Sequence, residues 1–582
     1  MSQANSDVVF DDGKSKFSDI WRKEDYWAIW LGFAVLIVGY CLFAAQVPGG
    51  FAEKLDKANS VMQAEAAKAP FKTIEFLQAQ DSKLKLKARD SEAGKRIAGQ
   101  LKTPGSWKSN PLDSLMVSEA AASASNEKAK PGAEAAKAKA EAALSLAREA
   151  QQTAAGAGYK DESLNAEAEK KITEWRAAQR DASKAAAKTT GKPFNLIPSL
   201  LQLMIGFMIF FGISIAFMGH NIPRYAVAFI PVFIVAVLAF VMGSQSTMKQ
   251  YGIGSEAWAI IIGMLIANTV GTPQFVKPAL QVEYYIKTGL VLLGAEVLFD
   301  KIVAIGIPGI FVAWVVTPIV LICTFIFGQK VLKMPSKTLN IVISADMSVC
   351  GTSAAIATAA ACRAKKEELT LSIGLSLVFT AIMMIAMPAF IKFIGIPEVL
   401  GGAWMGGTID ATGAVAAAGA FLGEKALYVA ATIKMIQNVL IGVTAFGVAV
   451  YWCTKVDCAD GQQGRKVPVR EIWDRFPKFV IGFLIASICA SLISGGLGPD
   501  LSNAMVNEGL VRGIASPMRN WCFALAFTSI GLATNFRELA QYFKGGKPLI
   551  LYVCGQSFNL ILTLTMAYIM FYKVFPEITA KI

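Results

Sequence analysis

Twelve or thirteen stretches of about 16 to 27 mostly apolar residues recur along this chain, each close to the roughly 20 residues that carry an α-helix across a bilayer. That recurrence leaves few folds open. In hydrocarbon the backbone must satisfy its own N–H and C=O groups, which only helices and closed barrels do. A barrel strand alternates apolar and polar residues at every second position; these stretches do not alternate, and they are rich in Gly and Ala. The sequence therefore predicts an all-α polytopic membrane protein. Charged residues are 17% of the 582, against about 25% in a soluble domain.

The first span is expected at 27–45, behind a cytoplasmic N-terminus over 1–26 whose Lys14, Lys16, Arg22 and Lys23 follow the positive-inside rule. The alternative is a cleaved signal peptide ending at Phe43-Ala44-Ala45, but its apolar run exceeds the usual length of about 7 to 15 residues. The membrane core, 196–582, holds the other spans, at about 197–218, 223–242, 256–271, 280–299, 303–328, 338–361, 369–392, 401–421, 426–451, 478–497, 517–534 and 548–572. Counting crossings puts the basic loops around Lys330, Lys333 and Lys337, around Lys455, Arg465, Lys466, Arg470 and Arg475, and around Arg537, Lys544 and Lys547 in the cytoplasm. The loop with Arg363, Lys365 and Lys366 falls outside, against the rule. The formal net charge of +13 thus reports loop orientation, and no nucleic-acid motif accompanies it.

Between the first two spans, residues 46–195 turn to Ala, Lys, Glu, Ser and Gln, with 25 basic and 19 acidic residues. Helix-forming stretches at 52–100 and 117–190 flank breakers at Pro104-Gly105 and Asn110-Pro111, which predicts an extracytoplasmic helical hairpin. Its mixed charge suits a spacer or a partner-docking module. The nine cysteines give no disulfide framework. Cys453 and Cys458 share a loop without further ligands, and His220 stands at a span end as a boundary residue. No metal or cofactor is expected beyond a coupling Na⁺ or H⁺, and no nucleophile–base pair marks an enzyme.

GMLIANT at 263–269 aligns with GGTIDAT at 406–412, and IKTGLVLLG at 286–294 with IKMIQNVLIG at 433–442. These matches predict two repeats of five spans, 256–392 and 401–572. Five is odd, so the second would be inverted, as in many transporters. The fourth span of each carries small and polar residues, SADMSVCGTSAA at 344–355 and FALAFTSIGLATN at 523–535. Both are expected to be discontinuous and to cross near mid-membrane.

Ionisable residues inside spans are functional candidates because of their insertion cost, about 2.5–3.5 kcal/mol each. Asp346 and Asp410 are the candidate coupling-ion pair, and Lys287 and Lys434, at matching repeat positions, are expected to compensate them or a buried oxyanion. Glu283 and Glu296 are expected to be interfacial. Gly351, Thr352 and Ser353 suit the start of a half-helix, whose free N–H groups attract an anion. With Ser348, Asn268, Thr269, Thr408, Thr412, Thr528 and Ser529 they complete the candidate substrate residues.

The stretches KPALQVEYYIKTGLVLLGAEVLF, ISADMSVCGTSAAIATAAACRAKKEE, GGAWMGGTIDATGAVAAAGAF and SIGLATNFRELAQYFKGGKPL resemble the YeiH-type family, named for sulfate export. The resemblance covers about 197–575. It implies an inverted-repeat fold similar to sodium/proton antiporters and bile acid symporters, with traffic of a small anion such as sulfate or an organosulfonate. Asp346, Asp410 and Gln437 depart from the family pattern and add negative charge by the site, which favours cation coupling; the 46–195 insertion is not part of the usual family core. The expected function is a secondary transporter, an exporter of a small anion coupled to H⁺ or Na⁺, forming a homodimer in the inner membrane. The alternatives are a cation/proton antiporter on the same scaffold, or a sensor or scaffold whose hairpin binds a protein partner.

Overall fold

The computed structural model describes residues 17–45, 50–250, 253–456, 472–473, 476–539 and 546–581. Lys14, Lys16, Cys458, Arg465, Lys466, Arg470, Arg475, Lys544 and the side chain of Cys453 lie outside the described residues. The chain is helical almost throughout. After α1 (Glu24–Ala45) come α2 (Phe51–Lys68), α3 (Ile74–Leu84), α4 (Glu119–Gly156) and α5 (Glu162–Ala187). Then follow α6 (Ile197–Phe217), α7 (Ile222–Gly243), α8 (Ser255–Thr269), α9 (Val282–Glu296) and α10 (Phe299–Lys330). The rest are α11 (Lys337–Ala345), α12 (Thr352–Cys362), α13 (Lys366–Ile394), α14 (Glu398–Thr408), α15 (Thr412–Leu422), α16 (Glu424–Val456), α17 (Phe479–Ser502), α18 (Ser516–Ala533) and α19 (Lys547–Val574). Eight helical stretches among the described residues are long and apolar enough to cross a membrane, and α8, α12 and α15 are shorter apolar helices. The protein is an all-α polytopic membrane protein.

The chain divides into two compact units, one of residues 1–36, 204–492 and 515–582 and the other of 37–203 and 493–514. In the smaller unit the antiparallel pair is α4 with α5, which corrects the expected pairing of 52–100 with 117–190. The turn between them uses left-handed backbone at Gly158 and Tyr159, and Asp161 caps α5 by accepting from the Ser163 and Leu164 N–H groups. The pair also has more core than its composition suggests. Phe71, Ile74 and Leu77 from α3 and its approach pack with Ala147, Ala154, Ala168, Ile172 and Trp175. A two-residue strand pair, Met116–Val117 with Phe194–Asn195, adds a small β element that the sequence reading did not anticipate.

In the larger unit two expected spans turn out to be re-entrant hairpins. α12 folds back along α11, so that Ile341 and Val342 pack with Ala355, Ala359 and Cys362. At the mouth of this first hairpin, Thr338 Oγ1 donates to Glu368 Oε2 at 2.8 Å, and Ser336 donates to the same carboxylate. Both ends therefore emerge together, and Arg363, Lys365 and Lys366 lie at the same end as Lys337. This removes the exception to the positive-inside rule, because the stretch 338–361 enters and returns rather than crossing.

α15 likewise folds back on α14. A Cβ on Gly423 would sit 2.6 Å from Glu398 Cδ, and one on Gly401 would meet Leu422. α13 runs from the mouth of the first hairpin to that of the second, so the two enter from opposite ends of the bundle. The span 517–534, expected to be broken, is instead the continuous α18, and the second interruption is at 409–411. The interruptions therefore fall in different places in the two proposed five-span units, and the expected equivalence of their fourth spans fails. The matched glycines do share a packing role: Gly263 meets the backbone of Gly531, and Gly406 that of Ala430.

Candidate functional site

The two hairpins meet tip to tip. At the first tip, Gly351 has φ 54° and ψ −130°, a region essentially restricted to glycine. Its N–H reaches back to the Asp346 carbonyl at 2.8 Å, ending α11 in a wide turn. At the second tip, Ile409 and Ala411 are extended. A Cβ at Gly351 would lie 3.3 Å from Ser376 Oγ and 3.4 Å from Asp410 Cβ, so the tips are in contact.

Asp346 and Asp410 are both buried at this junction. Ser372 Oγ donates to Asp346 Oδ2 at 2.6 Å and Ser376 Oγ to Asp410 Oδ2 at 3.1 Å. These serines are one turn apart on α13, about 5–6 Å, so one helix holds both carboxylates. Tyr552 OH also donates to Asp410 Oδ2. The Oδ1 atoms of both aspartates are buried without a hydrogen-bond partner among the described residues.

Each half-helix that enters the junction leaves C-terminal carbonyls without intrahelical partners, and side chains from two long helices take them up. Lys434 Nζ donates to Val349 O at 2.9 Å and to Gln437 Oε1 at 2.8 Å. Gln437 Nε2 donates to Thr317 Oγ1 at 3.0 Å and to Ser348 O at 3.1 Å. From α19, Gln556 Nε2 reaches Thr408 O at 3.0 Å and Asn559 Nδ2 reaches Met347 O at 3.4 Å. Lys434 is therefore a helix-end cap that meets Asp410 only through space, without an ion pair to either aspartate, so the expected compensation is indirect, and Lys287 pairs with Glu24 and Asp25 instead.

The N-terminal ends of α12 and α15 are treated differently. Neither has a side-chain cap, and both open on a cavity of about 600 Å³ whose inner wall includes Cys350, Thr352, Ser353, Ala411, Thr412 and Asn438. Thr352 and Ser353 are exposed to it. Asn438 Nδ2 donates to Thr412 Oγ1 at 3.0 Å, while Asn438 Oδ1 is buried without a hydrogen-bond partner among the described residues. Uncapped N–H groups and the positive dipole ends make this wall suited to an anion. Towards its mouth the cavity is lined by Glu24, Asp25, His220, Glu283, Lys287 and Lys478 among others.

Of the sequence candidates, Lys287, Thr352, Ser353 and Thr412 line the cavity, and Gly351, Asp346 and Asp410 form the junction behind it. Ser348 and Thr408 are buried, their hydroxyls bonded to Ser344 O and Trp404 O. Asn268 ties α8 to the end of α18 by donating to Thr534 O at 2.9 Å, and Thr269 bonds Leu265 O. Ser529 bonds Leu525 O, and Thr528 Oγ1 is buried without a partner among the described residues. Asn268, Thr269, Ser348, Thr408, Lys434, Thr528 and Ser529 are absent from the cavity wall. Glu296, expected at the interface, is buried in an ion pair with Arg519 at 2.5 Å.

Ser372, Ser376, Asn438, Tyr552, Gln556 and Asn559 were missed. Their signal is periodic: Ser372, Ser376 and Thr380, and Tyr552, Gln556, Asn559 and Thr563, are polar ridges at helical spacing inside apolar spans.

A family model described as conserved hypothetical protein 698 matches residues 227–552, a range that contains both hairpins and ends at Tyr552. The chain is 71% identical to a UPF0324 membrane protein of Nitratidesulfovibrio vulgaris, and 70% identical to a second from that organism, each across the whole of both chains. A UPF0324 membrane protein of Rhodopirellula baltica is 56% identical over 68% of this chain and 72% of its own. No solved structure matches. The chain belongs to the family of conserved hypothetical protein 698, the YeiH-type or UPF0324 membrane proteins.

Proposed function

We propose that this protein is a secondary transporter of a small anion, sulfate or an organosulfonate, working as an exporter in the inner membrane and coupled to H⁺ or Na⁺. The single observation that carries the reading is the sorting of helix ends at the hairpin tips. Their C-terminal carbonyls are covered by Lys434, Gln437, Gln556 and Asn559, while the N-termini at Thr352 and Thr412 open on one cavity. Irregular backbone at membrane depth is tolerated where it is buried in protein or lines an aqueous cavity, and in transporters it marks the binding site. Thr352, Ser353, Thr412 and Asn438 would bind the anion, and Asp346 with Asp410 would carry the coupling ion. The basic residues beside the first hairpin's mouth favour a cytoplasmic position for that end.

A second reading, a cation/proton antiporter, is favoured by the two unpartnered carboxylate oxygens. Proteoliposomes separate the two. Labelled sulfate or methanesulfonate accumulating under an imposed pH or Na⁺ gradient supports the first, and Na⁺-driven pH change without anion flux supports the second. Anion flux that ignores both gradients would remove the coupling role. The Ala/Lys/Glu-rich region would then be an extracytoplasmic accessory for assembly, with a homodimer or a protein partner as its use.

A further inference from the structure

We infer a second anion subsite at the cavity mouth, built from Lys287 and the start of α17 and filled in this conformation by the chain's own Asp25. It deepens the anion reading above and rests on it. Asp25 is bound at both carboxylate oxygens: Oδ1 lies 2.8 Å from Lys287 Nζ, and Oδ2 accepts the Lys478 backbone N–H at 2.9 Å. Lys478 immediately precedes α17, where N–H groups lack intrahelical partners. An ammonium and a helix-start N–H that bridge the two oxygens of one carboxylate form a receptor for a carboxylate, sulfonate or sulfate group.

Glu24 Oε1 lies 2.5 Å from the same Nζ and Glu283 Oε2 3.8 Å, and the Lys287 ammonium stands 5.7 Å from the centre of the Phe479 ring. Glu24, Asp25, Glu283, Lys287, Lys478 and Phe479 all line the cavity whose inner wall carries Thr352 and Thr412. The residents are tethered. Glu24 and Asp25 are the first two residues of α1, so whether they leave the receptor by a change of rotamer or by a shift of the helix start, they stay beside it and compete for it. An anion entering the cavity meets Lys287 already neutralised and must displace these carboxylates, as one ligand displaces another.

The test is equilibrium binding of sulfate and of methanesulfonate to the full-length protein in detergent, for wild type, Glu24→Gln with Asp25→Asn, and that double variant with Lys287→Met added. The subsite predicts affinity at least about tenfold tighter in the double variant, with the gain abolished by Lys287→Met. Unchanged affinity in a double variant with wild-type thermal stability overturns the subsite while leaving anion binding at the hairpin tips intact. A gain that survives Lys287→Met also overturns it. Absence of binding of either anion to any of the three proteins overturns both the subsite and the anion reading beneath it. Should the double variant unfold, Glu24→Gln alone, which leaves the Asp25 cap of α17 in place, must still tighten binding at least about threefold.

Discussion

Replacing Gly351 with Ala tests whether tip-to-tip contact is what assembles the site. At φ 54° and ψ −130° a non-glycine residue carries strain of about 1–3 kcal/mol. The new methyl would also stand 3.3 Å from Ser376 Oγ and 3.4 Å from Asp410 Cβ, so one neighbour must give way. The group most easily moved is the Ser376 hydroxyl, whose 3.1 Å bond to Asp410 is worth about 1.5–3 kcal/mol if the carboxylate is charged. Together these give a loss of about 2.5–6 kcal/mol, concentrated at the junction. Gly395→Ala is the control. Gly395 has φ 73° and nothing within 4 Å of a Cβ, so it costs only the left-handed backbone, about 1–2 kcal/mol. Thermal unfolding in detergent and labelled-anion uptake in proteoliposomes should show Gly351→Ala clearly destabilised, with uptake below about a tenth of wild type. Gly395→Ala should keep more than about half. Equal, small effects from the two substitutions would refute the claim that the tips position one another.

Lys434→Met should destabilise the protein by about 2–5 kcal/mol, because it strips donors from the Val349 carbonyl and Gln437 Oε1 in a buried setting; a variant that unfolds at the wild-type temperature would deny Lys434 its capping role. Asp346→Asn and Asp410→Asn should each fold yet lose the pH or Na⁺ dependence of anion flux, measured under imposed gradients, and unchanged dependence in both would falsify the coupling assignment. Single cysteines at Lys337 and Arg363 should react with an impermeant thiol reagent from the same side of the membrane and a cysteine at Glu424 from the other, as opposite-entry hairpins require. In the smaller unit, hydrogen bonding from Arg176 holds the Asp81 carboxyl below its ordinary range. Stability from that pair is present above the unfolded value near 4 and lost as pH falls through the lower folded one, so Asp81→Asn should speed hydrogen exchange in α3 and α5 at pH 7, and the difference should shrink as the solution is made more acidic than that.

Much of this architecture was legible because a bilayer imposes length and polarity together. The span expected at 197–218 is a helix at Ile197–Phe217, and that at 223–242 is one at Ile222–Gly243. What composition does not encode is direction. A 24-residue apolar stretch that crosses and one that folds back at its middle bury the same side chains, so 338–361 and 401–421 both passed for spans. The trace that remained was electrostatic: Arg363, Lys365 and Lys366 on the wrong side of the count. The coarse site was legible through Asp346, Asp410 and the Gly351-Thr352-Ser353 run. The partners of the aspartates were not, since Ser372, Ser376 and Tyr552 become informative only once tertiary packing brings α13 and α19 to the tips. Lys287 and Lys434 misled for a related reason. Equal spacing in two sequence segments implies nearness only if the segments are related by the symmetry assumed, and here one lysine serves a cavity mouth and the other a helix end.

The juxtaposition of the two charge systems suggests how coupling would work. Each helix N-terminus contributes roughly half a positive charge, so the uncapped starts of α12 and α15 offer an entering anion about one unit before Lys287 is counted. The carboxylate of Asp410 lies two residues before Thr412, on the other side of the same tip; its hydrogen bonds come from hydroxyls, and the Lys434 ammonium faces it through space without pairing. An anion at Thr412 and an ionised Asp410 repel each other across a few ångströms of protein. Whatever neutralises Asp410, a proton or a bound cation, therefore strengthens anion binding, and by reciprocity the anion strengthens binding of that proton or cation by the same factor. Joint binding of an anion with H⁺ or Na⁺ follows from this arrangement without a separate device, so an exporter built on it runs outward on the anion's own gradient with the cation carried along, whereas export driven by an inward H⁺ or Na⁺ gradient would need the two occupancies to oppose one another.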